Sequence, residues 1–258
     1  MNLETVLYEP QGEIVVITMN RPEALNALNE QLHHDLGAAW EAFKENDGLR
    51  VAIVTGAGRA FCAGADLKER AMYAREGKQP PRVEHRDPRR FGLPGQHEIQ
   101  KPIIAAVNGL CVGGGHGIAL DCDLRIASTT ARFGDLEIKA GQIGRIDLLV
   151  KAYPPAIANY LGLTGEMIPA ELAHRWGFVS HLVEPDNLLP TALEIAGKII
   201  ANPPRAVEVY KDVSLHALRY TEARDYLHHA AKSVLASRDY REAVTSFAEK
   251  REAKFSGD

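Results

Sequence analysis

Uninterrupted runs of apolar residues predict the strands of this chain. Three runs rich in β-branched residues cover Ile14 to Met19, Val51 to Thr55 and Ile103 to Val107. Short continuous apolar runs that end in turn residues are typical of buried strands. A fourth, shorter strand is predicted at Leu124 to Ala127.

A different spacing predicts helices between these runs. Apolar residues recur at steps of three and four at Leu28, Leu32, Leu36, Trp40 and Phe43. This spacing is typical of an amphipathic helix, and Asn29 is a suitable N-cap. Glycines precede a second helical pattern within Gly113 to Asp123. Strands that alternate with helices predict an α/β fold.

Two longer segments lack strand patterns. Residues 69–98 are rich in Arg and Pro and show no periodicity, so we predict a long surface excursion. Such a segment is either a lid over a site or a solvated insertion. From about Asn202 onward apolar residues recur at helical steps. A helical tail of this kind needs a partner surface to bury its apolar faces.

Composition narrows the class of protein. The 258 residues are 45% hydrophobic and 25% charged, as in ordinary globular proteins. Thirty basic and 34 acidic residues give a net charge of −4, which disfavours nucleic acid or an anionic membrane as a partner. No apolar run approaches the length of a membrane span, and the start lacks the features of a targeting signal.

Cysteine usage favours a reducing compartment. The three cysteines, Cys62, Cys111 and Cys122, show no CxxC spacing and leave one unpaired in any disulfide scheme. We therefore expect a cytoplasmic protein without a zinc site, and no other pattern suggests a metal.

Two glycine-centred turns are candidates for chemistry. They lie at Ala60 to Asp66 and at Asn108 to Gly117, each after a predicted strand. Glycine lets a ligand approach the main chain closely, and the second turn opens a helix whose first N–H groups are unpaired. Together the turns can form an oxyanion hole, in which one donor contributes about 2.7–4 kcal/mol to transition-state stabilisation. Neither turn carries a phosphate-loop or dinucleotide-binding pattern.

Five segments carry a resemblance to a known family. They are NRPEALNALN at 20–29, AFCAGADLKE at 60–69, KPIIAAVNGLCVGGGHGIALDCDLRIAS at 101–128, ARFGDLEIKAG at 131–141 and FAEKREAKF at 247–255. In order and spacing the chain resembles the crotonase superfamily, the enoyl-CoA hydratase/isomerase family. The resemblance implies an α/β fold, a crotonase-type spiral of ββα units, in residues 1–200. It implies a C-terminal helical oligomerisation region in residues 201–258 that builds a homotrimer or a hexamer, a dimer of trimers.

The resemblance also implies a substrate and its binding residues. The substrate is an acyl-CoA thioester, with coenzyme A as part of the substrate and no permanently bound cofactor. The implied oxyanion donors are the N–H groups of Ala63 and Gly114. The implied CoA-binding residues are Ala24, Ala63, Gly64, Ala65, Asp66, Leu67, Phe247 and Lys250.

One position departs from the family pattern. Family hydratases use two glutamates, of which the second is matched by Glu137 and the first is replaced by Gly117. One carboxylate still suffices to remove a proton α to a thioester and return it elsewhere, as in the isomerases of the family. Hydration and double-bond isomerisation both remain open.

Other residues near the site are candidates for auxiliary roles. Arg145 and Asp147 stand where the family has small residues, and they either reshape the acyl pocket or form a structural salt bridge. Asp121, four residues after Gly117, either reaches the active site or pairs with Arg125. His116 is adjacent to Gly117 but is rotated by about 100° on a helix.

We therefore expect an acyl-CoA enzyme of the hydratase/isomerase type with Glu137 as acid/base. Two alternatives stay open. The first is a crotonase-fold hydrolase of C–C bonds acting on a β-diketone or CoA ester, suggested by Arg145 and Asp147. The second is a non-catalytic crotonase-fold protein, suggested by Gly117.

Overall fold

The computed structural model describes residues 3–75, 92–140, 144–219, 237–239, 242, 249 and 251–257. Its strands are β1 (Val6–Gln11), β2 (Ile14–Met19), β3 (Val51–Gly56), β4 (Ala60–Cys62), β5 (Ile103–Val107), β6 (Leu110–Val112), β7 (Leu124–Ser128), β8 (Arg132–Gly134), β9 (Met167–Pro169) and β10 (His181–Val183). Its α-helices are α1 (Glu30–Glu45), α2 (Leu67–Arg75), α3 (Gly114–Asp121), α4 (Ile146–Ala152), α5 (Pro155–Thr164), α6 (Ala170–Arg175), α7 (Leu188–Ile200) and α8 (Pro204–Arg219).

Long and short strands alternate along the chain and separate into two sheets. The longer strands form a sheet in the order β1-β2-β3-β5-β7-β10, in which only β1 and β2 pair in antiparallel fashion. The short strands form a second sheet in the order β4-β6-β8-β9, whose first three strands are parallel. Each pair of a long and a short strand therefore adds one strand to the larger sheet and one strand to the second sheet. This is the predicted spiral of ββα units, and it confirms the α/β fold.

The predicted strands are present because their apolar runs are buried on both faces. β2 and β5 have the predicted bounds, and β3 and β7 each extend one residue beyond the prediction. Every residue of β5 is buried, as expected for a central parallel strand. One face packs against α1 and the second sheet, and α7 covers the other face.

The predicted first helix is confirmed as α1, including its cap. The Asn29 side chain accepts a hydrogen bond from the amide of Leu32 at 2.9 Å, which satisfies one of the unpaired N–H groups of the first turn. The predicted apolar stripe is buried, and Trp40 and Phe43 are fully enclosed.

The prediction of a surface excursion over residues 69–98 is wrong at the second of its two described ends. Its first residues belong to α2, and residues 76–91 lie outside the described part. At the other end, Gly92 accepts a hydrogen bond from the Trp40 indole at 3.0 Å, and His97 contacts Glu41 at 2.6 Å. Leu93 and His97 are buried, because long-range contacts that no periodicity reveals hold them against α1 and α3.

The C-terminal region begins as a helix, as predicted. α8 starts at Pro204, and the buried Lys211 ties it to the larger sheet through Asp123 at 2.9 Å. Most of the chain after Arg219 lies outside the described residues, so the division at residue 200 stays a prediction. In the part that is described, no helix is both long and apolar enough to cross a membrane.

Candidate active site

Three turns meet at one edge of the second sheet. β4, β6 and β8 are parallel neighbours, with Cys111 of β6 paired to Cys62 on one side and to Phe133 on the other. Because parallel strands end at the same edge, the residues that follow them are neighbours in space. These residues are the turn 63–65, the start of α3 and Glu137, which begins a 3-10 turn at Glu137–Ala140. The fold thus brings together the glycine turns and the predicted acid/base.

Two glycines with positive φ allow this close approach. A Cβ atom on Gly64, whose φ is +82°, would lie 3.2 Å from the amide nitrogen of Gly114. A Cβ atom on Gly113, whose φ is +56°, would lie 3.3 Å from Oε1 of Glu137. Side chains at either position would be strained and would fill the space between the turns and the carboxylate.

The predicted oxyanion donor Ala63 is wrong. Its N–H already donates to the carbonyl of Leu25 at 3.0 Å, which joins this turn to the segment before α1. In contrast, Ala65 lies opposite Leu28 without a hydrogen bond to it. The N–H of Leu28 donates to the carbonyl of Gly64, and the carbonyl of Leu28 accepts from the amide of Asp66. Within the described chain, the N–H groups of Ala65 and Gly114 donate to no protein group. The open amide of the first turn therefore belongs to Ala65.

The Glu137 carboxyl lies beside the start of α3. Its Oε2 is buried and has no hydrogen-bond partner among the described residues. Burial, with the hydrogen bond and negative charge of Asp135, raises the pKa of Glu137 to about 8, and the charge of Arg70 opposes this shift. A carboxyl with a pKa near neutrality exchanges protons readily at physiological pH, and clefts are where such shifts indicate function.

One face of α3 continues from this carboxyl. Gly113, Gly117 and Asp121 are spaced by four residues and therefore lie in line along the helix. A Cβ atom on Gly117 would lie 3.4 Å from Cγ of Arg145 and 3.7 Å from Cδ2 of Leu93. The aliphatic stem of Arg145 thus covers Gly117 one helical turn beyond Glu137.

The guanidinium of Arg145 joins two carboxylates. Its Nη1 donates to Oδ1 and Oδ2 of Asp121 at 3.2 and 3.1 Å. Its Nε and Nη2 donate to Asp147 at 3.2 and 3.3 Å, so the predicted Arg145–Asp147 salt bridge is present. Burial raises the pKa of Asp121, while the Arg145 charge and the Gly95 amide, which donates at 3.2 Å, lower it.

The alternative prediction that Asp121 pairs with Arg125 is wrong. Arg125 instead donates to the carbonyls of Phe178 at 2.7 Å and Cys122 at 2.6 Å. Its side chain stacks over the Phe178 ring at 4.9 Å. Arg125 therefore caps the C-terminal end of α3, and Asp121 is left to Arg145.

The predicted auxiliary role of His116 is also wrong. Its ring lies in an aromatic cluster with Phe133, Tyr153 and Phe178, and Nε2 contacts the Tyr153 hydroxyl at 3.1 Å. Burial lowers the pKa of His116 to about 4. The side chain is a neutral core residue on a different face of α3 from Gly117.

The remaining predicted binding residues are divided between the site and its supports. Asp66 accepts from the amides of Lys68 and Glu69 at 3.1 and 3.3 Å and pairs with Arg21 at 3.1 Å, so it caps α2 and holds the turn. Leu67 is exposed at the start of α2. Ala24 ends a 3-10 turn next to Leu25, the acceptor of the Ala63 amide. Phe247 and Lys250 lie outside the described residues.

Sequence reasoning missed one organising residue, Asn26. Its fully buried amide group donates to the carbonyls of Ala60 and Ala57 at 2.8 and 3.0 Å and accepts from the Arg21 amide at 2.8 Å. Its φ of 55° is one that Asn tolerates better than most residues. That tolerance, within a turn that follows a strand, was the available signal.

The described part of the chain was expected to lack a metal site. Among the described residues, no group of three or more His, Cys, Asp or Glu side chains could hold a metal ion. Cys62, Cys111 and Cys122 are buried free thiols, and burial raises the pKa of Cys62 to about 12. Cys62 is therefore a packed residue and not an activated nucleophile.

Comparisons with known proteins agree over the length of the chain. Residues 9–258 match the family model described as Enoyl-CoA hydratase/isomerase. The chain is 37% identical to (E)-benzylidenesuccinyl-CoA hydratase of Thauera aromatica, over 98% of this chain and 99% of that protein. It is 36% identical to short-chain-enoyl-CoA hydratase of Clostridium acetobutylicum, over 97% of both. The crystal structure of an enoyl-CoA hydratase/isomerase from Mycobacterium paratuberculosis matches with a TM-score of 0.90 and 32% identity, over 100% of both chains.

Proposed function

The chain belongs to the enoyl-CoA hydratase/isomerase family, and on that premise we propose that it transfers protons on an enoyl-CoA thioester through an enolate intermediate. The thioester carbonyl oxygen accepts hydrogen bonds from the amides of Ala65 and Gly114. Glu137 removes a proton from the α carbon, and the negative charge moves to that oxygen. Reprotonation at the γ carbon by the same carboxyl completes migration of the double bond.

The observation that carries this proposal is the position of the Glu137 carboxyl. Its Oε1 would lie 3.3 Å from a Cβ atom on Gly113, the residue directly before the open amide of Gly114. A base that sits beside an oxyanion donor can reach the carbon next to the stabilised carbonyl. The unpaired Oε2 of Glu137 leaves a lone pair for that proton.

Isomerisation is favoured over hydration because one carboxyl acts alone. Position 117 carries no side chain, and the stem of Arg145 lies over it. Asp121, the other carboxylate on this face of α3, is held by Arg145 and Gly95. A single carboxyl can take and return one proton, whereas addition of water needs a proton and a hydroxide at different carbons.

Hydration is the second candidate, and the relatives favour it. The proteins from Thauera aromatica and Clostridium acetobutylicum are both named as hydratases. In that reaction Glu137 would serve one proton transfer, and a water bound near Asp121 would supply the other. The hydrolase alternative lost its support, because Arg145 and Asp147 pair with each other.

The proposal also includes the predicted CoA-binding residues and the predicted oligomer. We assign Gly64, Ala65 and Leu67, with Ala24 beside them, to the CoA face of the site. Ala63 and Asp66 support this turn through Leu25 and Arg21. We also propose that Phe247 and Lys250 bind CoA. Residues 201–258 are proposed to build a trimer or a dimer of trimers.

The test is mass spectrometry of 3-hexenoyl-CoA and 2-hexenoyl-CoA after incubation in D2O. Wild-type protein is expected to incorporate deuterium at the α or γ carbon without adding water, and Glu137→Gln is expected to abolish incorporation. CoA-thioester binding, measured by calorimetry, should survive in that variant. A gain of water would favour hydration, and no reaction with any thioester would overturn the proposal and leave a non-catalytic protein.

A further inference from the structure

We infer that Arg145, held in place by Asp121, contacts the acyl group of the substrate and selects acyl chains that carry an uncharged hydroxyl or carbonyl oxygen. This inference rests on the proposed function, because it places the acyl chain along α3. It makes Arg145 a specificity-determining residue, in addition to the carboxyl that moves the proton.

The face of α3 that carries Gly113 and Gly117 leads from Glu137 to Arg145, which places Arg145 beside the acyl chain. A Cβ atom on Gly113 would meet the Glu137 carboxyl, and one on Gly117, one turn along, would meet the stem of Arg145. The thioester carbonyl is anchored at Gly114, so an acyl chain that passes Glu137 continues toward Arg145. Because Gly113 and Gly117 have no side chains, α3 itself places no side chain at these two positions between the Glu137 carboxyl and the Arg145 stem.

The guanidinium keeps donors for a substrate. An Arg side chain has five N–H groups, of which Nη2 uses one for Asp147. Within the described chain, its second Nη2 N–H has no acceptor. The side chain is 30% exposed, whereas that of Asp121 is 4% exposed. The buried carboxylate therefore fixes the guanidinium while part of it stays accessible.

The charges around Arg145 favour an uncharged oxygen. Asp121 and Asp147 together carry more negative charge than the guanidinium carries positive charge. A carboxylate on the acyl chain would have to displace Asp147 from Arg145 or be repelled by its negative charge. A hydroxyl or carbonyl oxygen accepts the spare N–H without adding charge.

Distance along the helix sets where that oxygen lies on the chain. One helical turn advances by about 5.4 Å, and an extended chain advances by roughly 1.2 Å per bond. The guanidinium lies between the level of Gly117, one turn beyond Gly113, and that of Asp121, two turns beyond it, so the oxygen is expected about five to nine bonds from the thioester carbon. The hydroxyl of 5-hydroxy-3-hexenoyl-CoA meets this condition, and 3-hexenoyl-CoA is the matched compound without it.

The test compares kcat/KM for these two thioesters, with 3-hexenedioyl-CoA as a charged third substrate. Wild-type protein is expected to prefer the hydroxylated thioester by roughly 10- to 100-fold, as for one hydrogen bond to a charged donor. The double variant Asp121→Asn/Arg145→Met is expected to lose this preference. The Asp121→Asn change keeps a side-chain oxygen that can accept from the Gly95 amide, and it avoids leaving an unpaired buried carboxylate.

The control is Arg205→Met, which removes an exposed Arg paired only weakly with Glu208 at 3.6 Å. It is expected to leave both rate constants and their ratio at the wild-type value. A wild-type ratio near one, a preference for the diacid, or equal losses on both substrates in the double variant would each overturn the specificity role. If neither substrate shows turnover that depends on Glu137, the proposed function fails instead.

Discussion

Replacing Glu137 by Gln should stabilise the protein at alkaline pH and leave its stability unchanged at acid pH. In the folded protein burial raises the pKa of Glu137 from 4.5 to about 8. Below pH 4.5 the carboxyl is protonated whether the chain is folded or unfolded. As the pH rises from 4.5 to about 8, the unfolded chain gives up this proton while the folded protein keeps it, so stability is lost until both states are ionised above about pH 8.

The size of this loss follows from the two pKa values. Raising the pKa of Glu137 from 4.5 to about 8 corresponds to roughly 5 kcal/mol between the protonation states. Because the side chain is only partly buried, solvent screening reduces this to about half, roughly 2–3 kcal/mol. For a chain of this length, such a difference shifts Tm by about 5–10 °C. Gln has the same shape and does not titrate.

The assay is the difference in Tm between Glu137→Gln and wild type, followed by circular dichroism from about pH 5 to about pH 9.5. The difference is expected to be small at about pH 5, to grow in favour of the variant up to about pH 8, and to stay level above it. Glu184→Gln is the matched control, because it removes an exposed carboxylate and keeps an acceptor for Thr129. A difference that is constant with pH would refute the assignment of a raised pKa to this carboxyl.

Three further predictions concern the same site. The kcat/KM for double-bond migration should rise with pH through about 8 in stopped assays, because Glu137 must be ionised to accept the α proton; a flat profile would contradict this. Gly64→Ala should lower kcat at least about 100-fold, because its Cβ would lie 3.2 Å from the Gly114 amide; bound CoA thioester, measured by calorimetry, checks that the fold survives. Asn26→Ala should lower the free energy of unfolding, measured by chemical denaturation, by about 2–4 kcal/mol. The change removes the side chain that hydrogen-bonds to the Ala60 and Ala57 carbonyls and to the Arg21 amide. A loss below about 1 kcal/mol would contradict its organising role.

The sequence sufficed for the elements whose signal is local. Continuous apolar runs predicted β2, β3, β5 and β7 within one residue of their bounds, because central parallel strands are buried on both faces. The Asn29 cap was predictable because the cap and its N–H partner lie within one turn. The resemblance added what no local pattern contains, namely how the strand pairs wind into two sheets.

The errors arose where a partner is distant along the chain. Residues 92–98 lack periodicity, yet Gly92 and His97 are buried in contact with the Trp40 indole and Glu41. Asp121 has a suitable partner four residues away in Arg125, but Arg145, 24 residues on, takes its carboxylate. A helix-spacing rule can propose the near pair and has no means to weigh it against an Arg that the fold brings over the same face.

The error at Ala63 has a similar origin and a clearer rule. Both Ala63 and Ala65 flank Gly64, and composition cannot distinguish their amides. The positive φ of Gly64 reverses the chain between them, so that the amide before it turns to Leu25 while the amide after it stays open. The donor is therefore to be sought after a positive-φ glycine, which explains why Gly64 is needed and which neighbour it serves.

The chemistry of this site depends on what covers each position of the α3 face, more than on which residues α3 itself supplies. Gly113 and Gly117 contribute only empty space, and Glu137 and Arg145 fill that space from segments after β8. A side chain at 113 would displace the acid/base, and a long one at 117 would displace the Arg145 stem and part Asp121 from its counter-ion. Position 117 and Arg145 therefore constrain one another, because a Cβ atom at 117 would already be in van der Waals contact with the Arg145 stem and a longer side chain there would have to displace it.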